Sequence, residues 1–281
     1  PSEERDAAQM VSDALARDGV EIHLNSQPTR VRVQDGRKHV DLLNEGNTAT
    51  TVVEQILTGI GRLPAVDGLC LGAAGIEYDA IAGIGVDDFL RTSNSHVYAA
   101  GDVCLKFRFT NTAEASARIV VHNALLFGRR RLSALTVPWC THTDPQVAHV
   151  GLYVKEARER NLPVKTFTVP MHNVDRSITD GAEDGFVKIH VREGTDQILG
   201  ATIVGRGAAE MINVVSLAMV AGVGLCRLAT VIHAYPTQGE AVRQAAQACA
   251  DTLVSPLLAG IRRWWLKARD DPQAEHDAPR H

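Results

Sequence analysis

The sequence predicts a mixed fold in which α/β segments are followed by an α+β domain. Two observations carry this prediction. Apolar residues at helical spacing over residues 3–17 lead directly into a strand pattern at residues 19–25, as in the second half of a βαβ unit. Much later, strand patterns at residues 186–191 and 198–204 are separated by a glycine-containing turn, which is typical of an antiparallel pair.

The other elements follow from periodicity and turn chemistry. Strand patterns at residues 29–34 and 37–43 are joined by Asp35–Gly36, a strong hairpin signal. A further strand is predicted at residues 50–59, and a loop-rich stretch follows it. The remaining predicted elements are a short buried strand at residues 97–100, a helix at 112–127, and helices at 208–221 and 238–250.

Composition limits the classes of function. Of the 281 residues, 45% are hydrophobic and 22% are charged, which is ordinary for a globular protein. The net charge of −4 gives no basic surface for nucleic acid, and no apolar run is long enough to cross a bilayer. The five cysteines are widely spaced with no C-x-x-C pair, so we expect reduced thiols in a cytoplasmic protein.

The two ends of the chain carry weaker signals. The sequence begins at Pro1 without an initiator methionine, which favours a truncated chain, although processing would give the same start. Residues 262–269 are basic and aromatic, and two interpretations stay open. They could form an amphipathic helix on a membrane surface, or a solvated terminal helix that packs a tryptophan on the body of the protein, and the second is favoured.

One predicted strand ends in residues suited to a ligand. Small residues lead to Gly101 and Asp102, so the backbone could approach a ligand closely while the carboxylate accepts a hydrogen bond from a sugar-like hydroxyl. A tight turn capped by Asp102 is the alternative. Asn111 is predicted to cap the next helix, with Glu114 three residues later as a variant capping box. That helix start would suit an electron-rich ring edge or an anion.

Four motifs resemble those of the pyridine nucleotide–disulfide oxidoreductases, a family of flavoproteins. Their order and spacing match from about residue 7 to residue 250. The motifs are T-S-N at 92–94 with V-Y-A-A-G-D-V at 97–103, I-L-T-G-I-G-R-L-P at 56–64, T-D-P-Q-V-A at 143–148 with V-G at 150–151, and Y-P-T at 235–237 with Glu240.

The resemblance implies FAD and NAD(P)H as cofactors and assigns residues to them. Asp102 would hydrogen-bond the ribityl chain of FAD, and Gly101 would allow close backbone approach. The backbone around Thr112 and Ala113 would face the pyrimidine edge of the flavin and stabilise negative charge on the reduced ring.

Two further residues are assigned to the cofactors in the same way. Gly61 and Arg62 would lie near the flavin phosphates or the nicotinamide nucleotide, with a plain loop glycine and a surface arginine as the alternative. Asn111 departs from the family pattern, because many relatives carry a histidine at its position.

Tyr235 decides most about the substrate. The family's thiol-reducing enzymes carry a histidine before this proline as acid–base catalyst, oriented by the glutamate that corresponds to Glu240. A tyrosine titrates near 10 rather than near 6.5, so Tyr235 cannot readily take a thiol proton at neutral pH. The resemblance therefore points to the mercuric-reductase-like branch, and a packed interface aromatic is the alternative. The Tyr235–Pro236 bond is expected to be cis.

The resemblance also implies a division into domains. Residues 1–65 would be the C-terminal half of an NAD(P)-binding domain, and residues 66–134 the second segment of an FAD-binding domain. Residues 135–250 would be a dimer-interface domain, and residues 251–281 a basic and polar tail. The implied fold class is α/β nucleotide-binding segments of the FAD/NAD(P) type followed by an α+β dimer-interface domain.

The implied function is that of the C-terminal portion of a homodimeric FAD-dependent oxidoreductase. Hydride would pass from NAD(P)H through FAD to a dithiol and on to a thiol, disulfide or other small acceptor. The redox dithiol, the glycine-rich motif for FAD and the glycine-rich motif for NAD(P) are missing from the sequence, so the chain alone is expected to be inactive. Two alternatives stay open: a non-catalytic dimerisation module, or a dihydrolipoamide dehydrogenase. No metal site is predicted, because the cysteines and histidines show no ligand spacing.

Overall fold

A computed structural model describes residues 3–253, so the predicted segment at 262–269 lies outside the described residues. The chain divides into two compact units. Within the described residues, the meander unit comprises Glu21–Leu135, and the five-stranded unit combines residues 3–20 with residues 136–253.

The helices and strands are numbered in chain order. Up to residue 135 they are α1 (Arg5–Arg17), β1 (Ser26–Gln34), β2 (Arg37–Asn44), β3 (Asn47–Val53), β4 (Tyr78–Asp79), β5 (Gly83–Ile84) and α2 (Thr110–Leu125). From residue 136 they are β6 (Trp139–Thr141), β7 (Gln146–Gly151), α3 (Val154–Glu159), β8 (Val164–Pro170), α4 (Asp175–Thr179), β9 (Phe186–Arg192), β10 (Ile198–Gly205), α5 (Ala208–Val220), α6 (Leu225–Leu228) and α7 (Glu240–Leu253).

The meander unit begins with the antiparallel sheet β1–β2–β3. The predicted hairpin is confirmed, because Gln34 pairs with Arg37 across the turn at Asp35 and Gly36. Both turn residues have positive φ, 51° and 76°, as a two-residue hairpin turn of the I′ type requires. Asp41 in β2 ties the three strands together, because its carboxylate accepts hydrogen bonds from Arg32 in β1 and Thr50 in β3, each at 2.6 Å.

Three predicted strands are wrong in whole or in part. Residues 19–25 form no strand, and β3 ends at Val53 rather than at residue 59. Residues 97–100 form only a single bridge, between Tyr98 and Arg91. Among the described residues, none pairs with residues 19–25 or 54–59, whereas residues 97–100 are joined to residues 90–92 by two backbone hydrogen bonds, too few for a strand. The apolar side chains of residues 19–25 and 54–59 are exposed, almost fully at Leu57, whereas Ala99 is buried.

The five-stranded unit has a wholly antiparallel sheet in the order β6-β7-β10-β9-β8. The predicted pairing of β9 with β10 is confirmed, with Val204 opposite Phe186 and Ile198 opposite Val191. The predicted helices are also confirmed as α5 and α7, the second shifted by two residues at its start. Both contribute buried side chains, such as Val215 and Ala245, to the same hydrophobic core as the sheet.

The helix α1 confirms the prediction at residues 3–17 and belongs to the five-stranded unit. Its Ala7 is buried with Val147 and Phe186 of the sheet. Lys188 of β9 fixes the start of this helix, because its ammonium lies 2.5 Å from a Glu4 carboxylate oxygen and 2.6 Å from one of Asp6. Among residues 3–253, none of the helices has the length and apolar character needed for a membrane crossing.

The central strand β10 should dominate the stability of this unit. Ile203 is fully buried in it, so Ile203→Ala removes apolar contacts and leaves a cavity. We expect a loss of about 2–5 kcal/mol in the free energy of unfolding, measured by urea denaturation. The same change at the half-exposed Ile178 of α4 is the control and should cost less than about 1 kcal/mol. Equal losses would contradict this account of the core.

Candidate functional site

Gly101 and Ala113, twelve residues apart, meet at the centre of the predicted cofactor site. Gly101 has φ +77°, a conformation that favours glycine, and a Cβ added there would lie 3.3 Å from the Ala113 methyl group. Its N–H donates a 3.0 Å hydrogen bond to Ser116, whose hydroxyl donates to the Ala113 carbonyl at 2.7 Å. The turn before α2 is therefore fastened to the first turns of that helix.

Asp102 and Arg62 bring a third segment to the same place. The Arg62 guanidinium lies 3.3 Å from an Asp102 carboxylate oxygen, and Gly61 before it has φ +105°. The Asp102 side chain is 42% exposed and that of Arg62 is 67% exposed, so both can reach a bound molecule. An ion pair this exposed contributes little to stability, so the carboxylate can exchange partners at low cost.

Arg108 belongs to this cluster but was not found by sequence reasoning. It donates a 2.5 Å hydrogen bond to the Arg62 carbonyl and a 3.2 Å bond to the Ile81 carbonyl. The Arg62 guanidinium donates in turn to the Arg108 carbonyl. Because the two arginines are 46 positions apart, no local pattern could have indicated this reciprocal clamp.

The start of α2 differs from the prediction. The helix begins at Thr110 after an extended Phe109, so Asn111 lies inside the first turn and is not the N-cap. Its side chain instead accepts a 2.9 Å hydrogen bond from the Thr112 N–H. Glu114 forms no capping box and pairs with an arginine one turn later. The predicted cap is wrong because the helix begins one residue before Asn111.

The backbone N–H groups at the predicted flavin edge both have partners within the chain. The Thr112 N–H is bound by the Asn111 side chain, and the Ala113 N–H donates to the Phe109 carbonyl at 2.9 Å. Any stabilisation of negative charge by these two peptide groups would therefore come from the aligned helix dipole, because neither N–H group is unused.

The donor set of this cluster fits a ligand with both hydroxyl and phosphate groups. Asp102 offers a carboxylate acceptor, and Arg62 offers an exposed guanidinium. The Nε atom of Arg108 is buried and has no hydrogen-bond partner among the described residues, so one donor is left over. Gly101 supplies a surface without a side chain beside them. FAD carries both kinds of group, so these residues fit it chemically.

Tyr235 lies in the five-stranded unit and is 72% exposed. Its hydroxyl donates a 2.6 Å hydrogen bond to the Asp175 carboxylate at the start of α4. This hydrogen bond and the negative charge of Asp175 raise the pKa of Tyr235 above its ordinary value, because both oppose a phenolate. The Tyr235–Pro236 bond is cis, as predicted.

Glu240 is the first residue of α7 and is held by Arg243, one turn later. The Arg243 Nε donates to both carboxylate oxygens at 2.9 Å, and its Nη2 donates to one of them at 2.5 Å. This pairing lowers the pKa of Glu240, so the carboxylate is ionised at neutral pH. The i,i+3 spacing of the pair could have been found in the sequence, whereas Asp175, 60 positions before Tyr235, could not.

The described residues contain no group of three or more histidine, cysteine, aspartate or glutamate side chains that could hold a metal ion.

Comparison with known families finds two matches that together span most of the chain. Residues 1–117 match the family described as pyridine nucleotide-disulphide oxidoreductase. Residues 137–246 match the pyridine nucleotide-disulphide oxidoreductase dimerisation domain.

Curated relatives include two kinds of enzyme at nearly equal similarity. A mercuric reductase from Staphylococcus aureus is 31% identical over 85% of this chain and 44% of its own length. A dihydrolipoyl dehydrogenase from Thermus scotoductus is 31% identical over 88% of this chain and 54% of its own length. The chain therefore spans about half the length of the curated relatives it matches.

Solved structures agree on the fold. The HOCl-induced flavoprotein disulfide reductase RclA from Escherichia coli superposes with a TM-score of 0.80 at 28% identity, over 91% of this chain and 57% of that one. LpdA from Mycobacterium tuberculosis gives a TM-score of 0.80 at 25% identity, over 89% of this chain and 54% of that one. The predicted class, nucleotide-binding segments followed by a dimer-interface domain, is confirmed.

The hydrogen bond to Asp175 gives a prediction for the titration of Tyr235. Asp175→Asn removes the negative charge that opposes the phenolate, so the pKa of Tyr235 should fall back towards its ordinary value. Phenolate absorbance measured against pH would show the shift, with Tyr235→Phe identifying the signal. Asp251→Asn, at an exposed position of α7, is the control. An unchanged titration in Asp175→Asn would show that the contact is absent in solution.

The pairing of Glu240 with Arg243 gives a prediction for acid stability. A lowered pKa means that the pair stabilises the fold above the ordinary glutamate value of 4.5 and loses this contribution as the pH falls through the folded value. Arg243→Gln should therefore have a lower Tm than the unmodified chain at pH 7, and the difference should shrink below pH 4.5. Arg227→Gln, at an exposed arginine of α6, should show no such pH-dependent difference.

Proposed function

Because this chain belongs to the pyridine nucleotide-disulphide oxidoreductase family, we propose that it forms part of an FAD-dependent, mercuric-reductase-like enzyme that oxidises NAD(P)H. Family members are FAD-binding flavoproteins that use NAD(P)H. The proposed domains are those expected from the sequence: residues 1–65 bind NAD(P), residues 66–134 bind FAD, residues 135–250 form the dimer interface and residues 251–281 form the tail. No pair of cysteines in the sequence has the close spacing of a redox dithiol, so the proposed dithiol is not part of this chain.

The convergence of three distant segments carries this proposal. Residues 61–62, 101–102 and 112–113 meet through the Arg62–Asp102 ion pair and the contact of Gly101 with Ala113. A plain capped turn could use the left-handed glycine but would not need the opposed charges. A cofactor with a polyol chain and phosphates would use both, because the glycine leaves room for the chain and the charges bind its polar groups.

Each residue of this cluster has a proposed part in binding. Asp102 would accept a hydrogen bond from the ribityl chain, and Arg62 would bind a phosphate or the nicotinamide nucleotide. Gly61 and Gly101 would leave space for the cofactor because they have no side chain, and the start of α2 would face the flavin ring. When bound, FAD would supply the chemistry, accepting hydride from NAD(P)H and passing electrons to the acceptor.

Tyr235 supports an electron acceptor other than a simple disulfide. Its pKa is raised by Asp175, so it stays protonated at neutral pH and acts only as a hydrogen-bond partner. The ionised Glu240 is paired with Arg243 and has no hydrogen bond to Tyr235 comparable to that of a catalytic histidine–glutamate pair. These observations favour the mercuric-reductase-like branch over a dihydrolipoamide dehydrogenase. Reduction of lipoamide by the enzyme containing this chain would contradict that preference.

The proposed assembly is a homodimer in the cytoplasm. The dimerisation-domain match at residues 137–246 supports the dimer, and Tyr235 and Glu240 would project into the active site of the partner subunit. Apolar side chains at Leu217 and Val220 of α5 and at Ile232 are exposed on the five-stranded unit, as a surface awaiting a partner would be. The cysteines are all free, which supports a reducing compartment.

A second candidate is a dimerisation module that binds no flavin. The five-stranded unit has its own sheet and a large hydrophobic core, so it holds the features of a domain that folds independently. A dimer without flavin would support this candidate over the first.

Binding of FAD by the purified chain tests the proposal. We expect a flavin absorbance band near about 450 nm after mixing and gel filtration. Asp102→Asn should weaken FAD binding by about tenfold or more, because it removes a charged hydrogen-bond acceptor. Asp67→Asn, at an exposed loop position of the same unit, is the matched control and should bind normally. Equal affinity of the two variants would contradict the role of Asp102, and no binding by any of them would favour the second candidate.

A further inference from the structure

Two cysteines lie in direct contact in the five-stranded unit. The Sγ atom of Cys226 on α6 is 3.2 Å from the Sγ atom of Cys249 on α7, although the residues are 23 positions apart. Within the described residues, no other two cysteine sulfurs lie within hydrogen-bond distance of each other. A disulfide bond needs a sulfur separation of about 2.05 Å, so the two atoms need to approach by only about 1.2 Å.

The two thiols are held in place by their helices. Cys249 is fully buried in the hydrophobic core, and α6 is fixed by a 2.7 Å hydrogen bond from the Leu225 N–H to the Asp196 carbonyl. Leu225 and Leu228, on either side of Cys226, are buried, so α6 cannot turn its cysteine away without exposing them. The contact therefore follows from the packing of α6 on α7.

Their different exposures assign a different role to each thiol. Cys226 is half-buried, so an oxidant can reach it from solvent. Cys249 is buried, and burial raises the pKa of its thiol to about 12. It is therefore a poor first nucleophile but is well placed to react with an oxidised Cys226.

We propose that Cys226 and Cys249 form a reversible disulfide that links α6 to α7. Hydrogen peroxide would first oxidise the Cys226 thiol to a sulfenic acid, with release of one water. The Cys249 sulfur would then attack the Cys226 sulfur, form the S–S bond and release a second water. A dithiol reductant reverses the reaction by giving two electrons and two protons back to the pair.

The position of this disulfide gives it a consequence for the proposed active-site segment. The chain between the two cysteines contains both Tyr235 and Glu240. Closing a covalent ring around this segment removes conformations that it could otherwise adopt when α6 and α7 separate. Oxidation should therefore restrict the motion of residues 230–239, whether or not the chain binds FAD.

Thiol counting on the full chain tests the proposal. After treatment with hydrogen peroxide and denaturation, the titratable thiols should fall from five to three, and the mass should fall by about 2 Da. Peptide mapping should place the link between Cys226 and Cys249, and dithiothreitol should restore all five thiols. Two intact thiols at these positions, or Cys226 linked to another chain, would overturn the proposal.

Matched variants distinguish a disulfide between these two cysteines from oxidation of the other cysteines. Cys226→Ala and Cys249→Ala should each abolish the loss of mass, while Cys140→Ala, at a half-buried cysteine without a thiol neighbour, should leave it unchanged. Cys226→Ala decides the matter even if the change at buried Cys249 impairs folding. In the oxidised chain, amide hydrogen exchange at residues 230–239 should slow several-fold, and an unchanged rate would contradict the proposed constraint.

Discussion

The burial of β10 on both faces is the constraint on which the five-stranded unit depends. Every residue of this strand is buried, with α5 and α7 packed in the core on one side and α1 on the other. A strand that is apolar on both sides can lie only at the centre of a layered domain, so its neighbours β7 and β9 and the covering helices are arranged around it. The Tyr235 segment and both contacting thiols are attached to this framework through α6 and α7.

The meander unit has two small hydrophobic clusters in place of one large core. Its predicted cofactor cluster depends on the positive φ of Gly101 and on the absence of a side chain facing Ala113. Around this contact the charged groups hold one another: Arg62 bridges to Asp102, and Arg108 fixes the Arg62 backbone. The cluster therefore combines a rigid backbone with exposed charges, a combination suited to binding a polar ligand.

In the Tyr235 segment, residues 230–240, Tyr235 and Glu240 each keep one protonation state near neutral pH. Tyr235 is kept protonated by a carboxylate, and Glu240 is kept ionised by a guanidinium. Neither group titrates near neutral pH, so these two side chains can position a substrate by hydrogen bonding but cannot readily exchange a proton with it. The proposed disulfide between Cys226 and Cys249 would add a redox-sensitive element to this segment.

Elements whose stabilising partners lie close in sequence were predictable. The Asp35–Gly36 hairpin, α1, α5 and the pairing of β9 with β10 all follow from periodicity and turn chemistry, and the structure confirms them. Strands that depend on distant neighbours were not. Residues 19–25 have the composition of a strand but form none, because composition records a preference and pairing requires a second strand.

The sequence by itself determined the family, through four motifs in order, and with it the fold class and the candidate residues from Gly61 to Glu240. Only the tertiary structure decided which groups touch: Arg108 on Arg62, Asp175 on Tyr235, and Cys226 on Cys249. The physical reason is sequence separation. These partners lie 46, 60 and 23 positions apart, and packing, not local propensity, sets the distance between them.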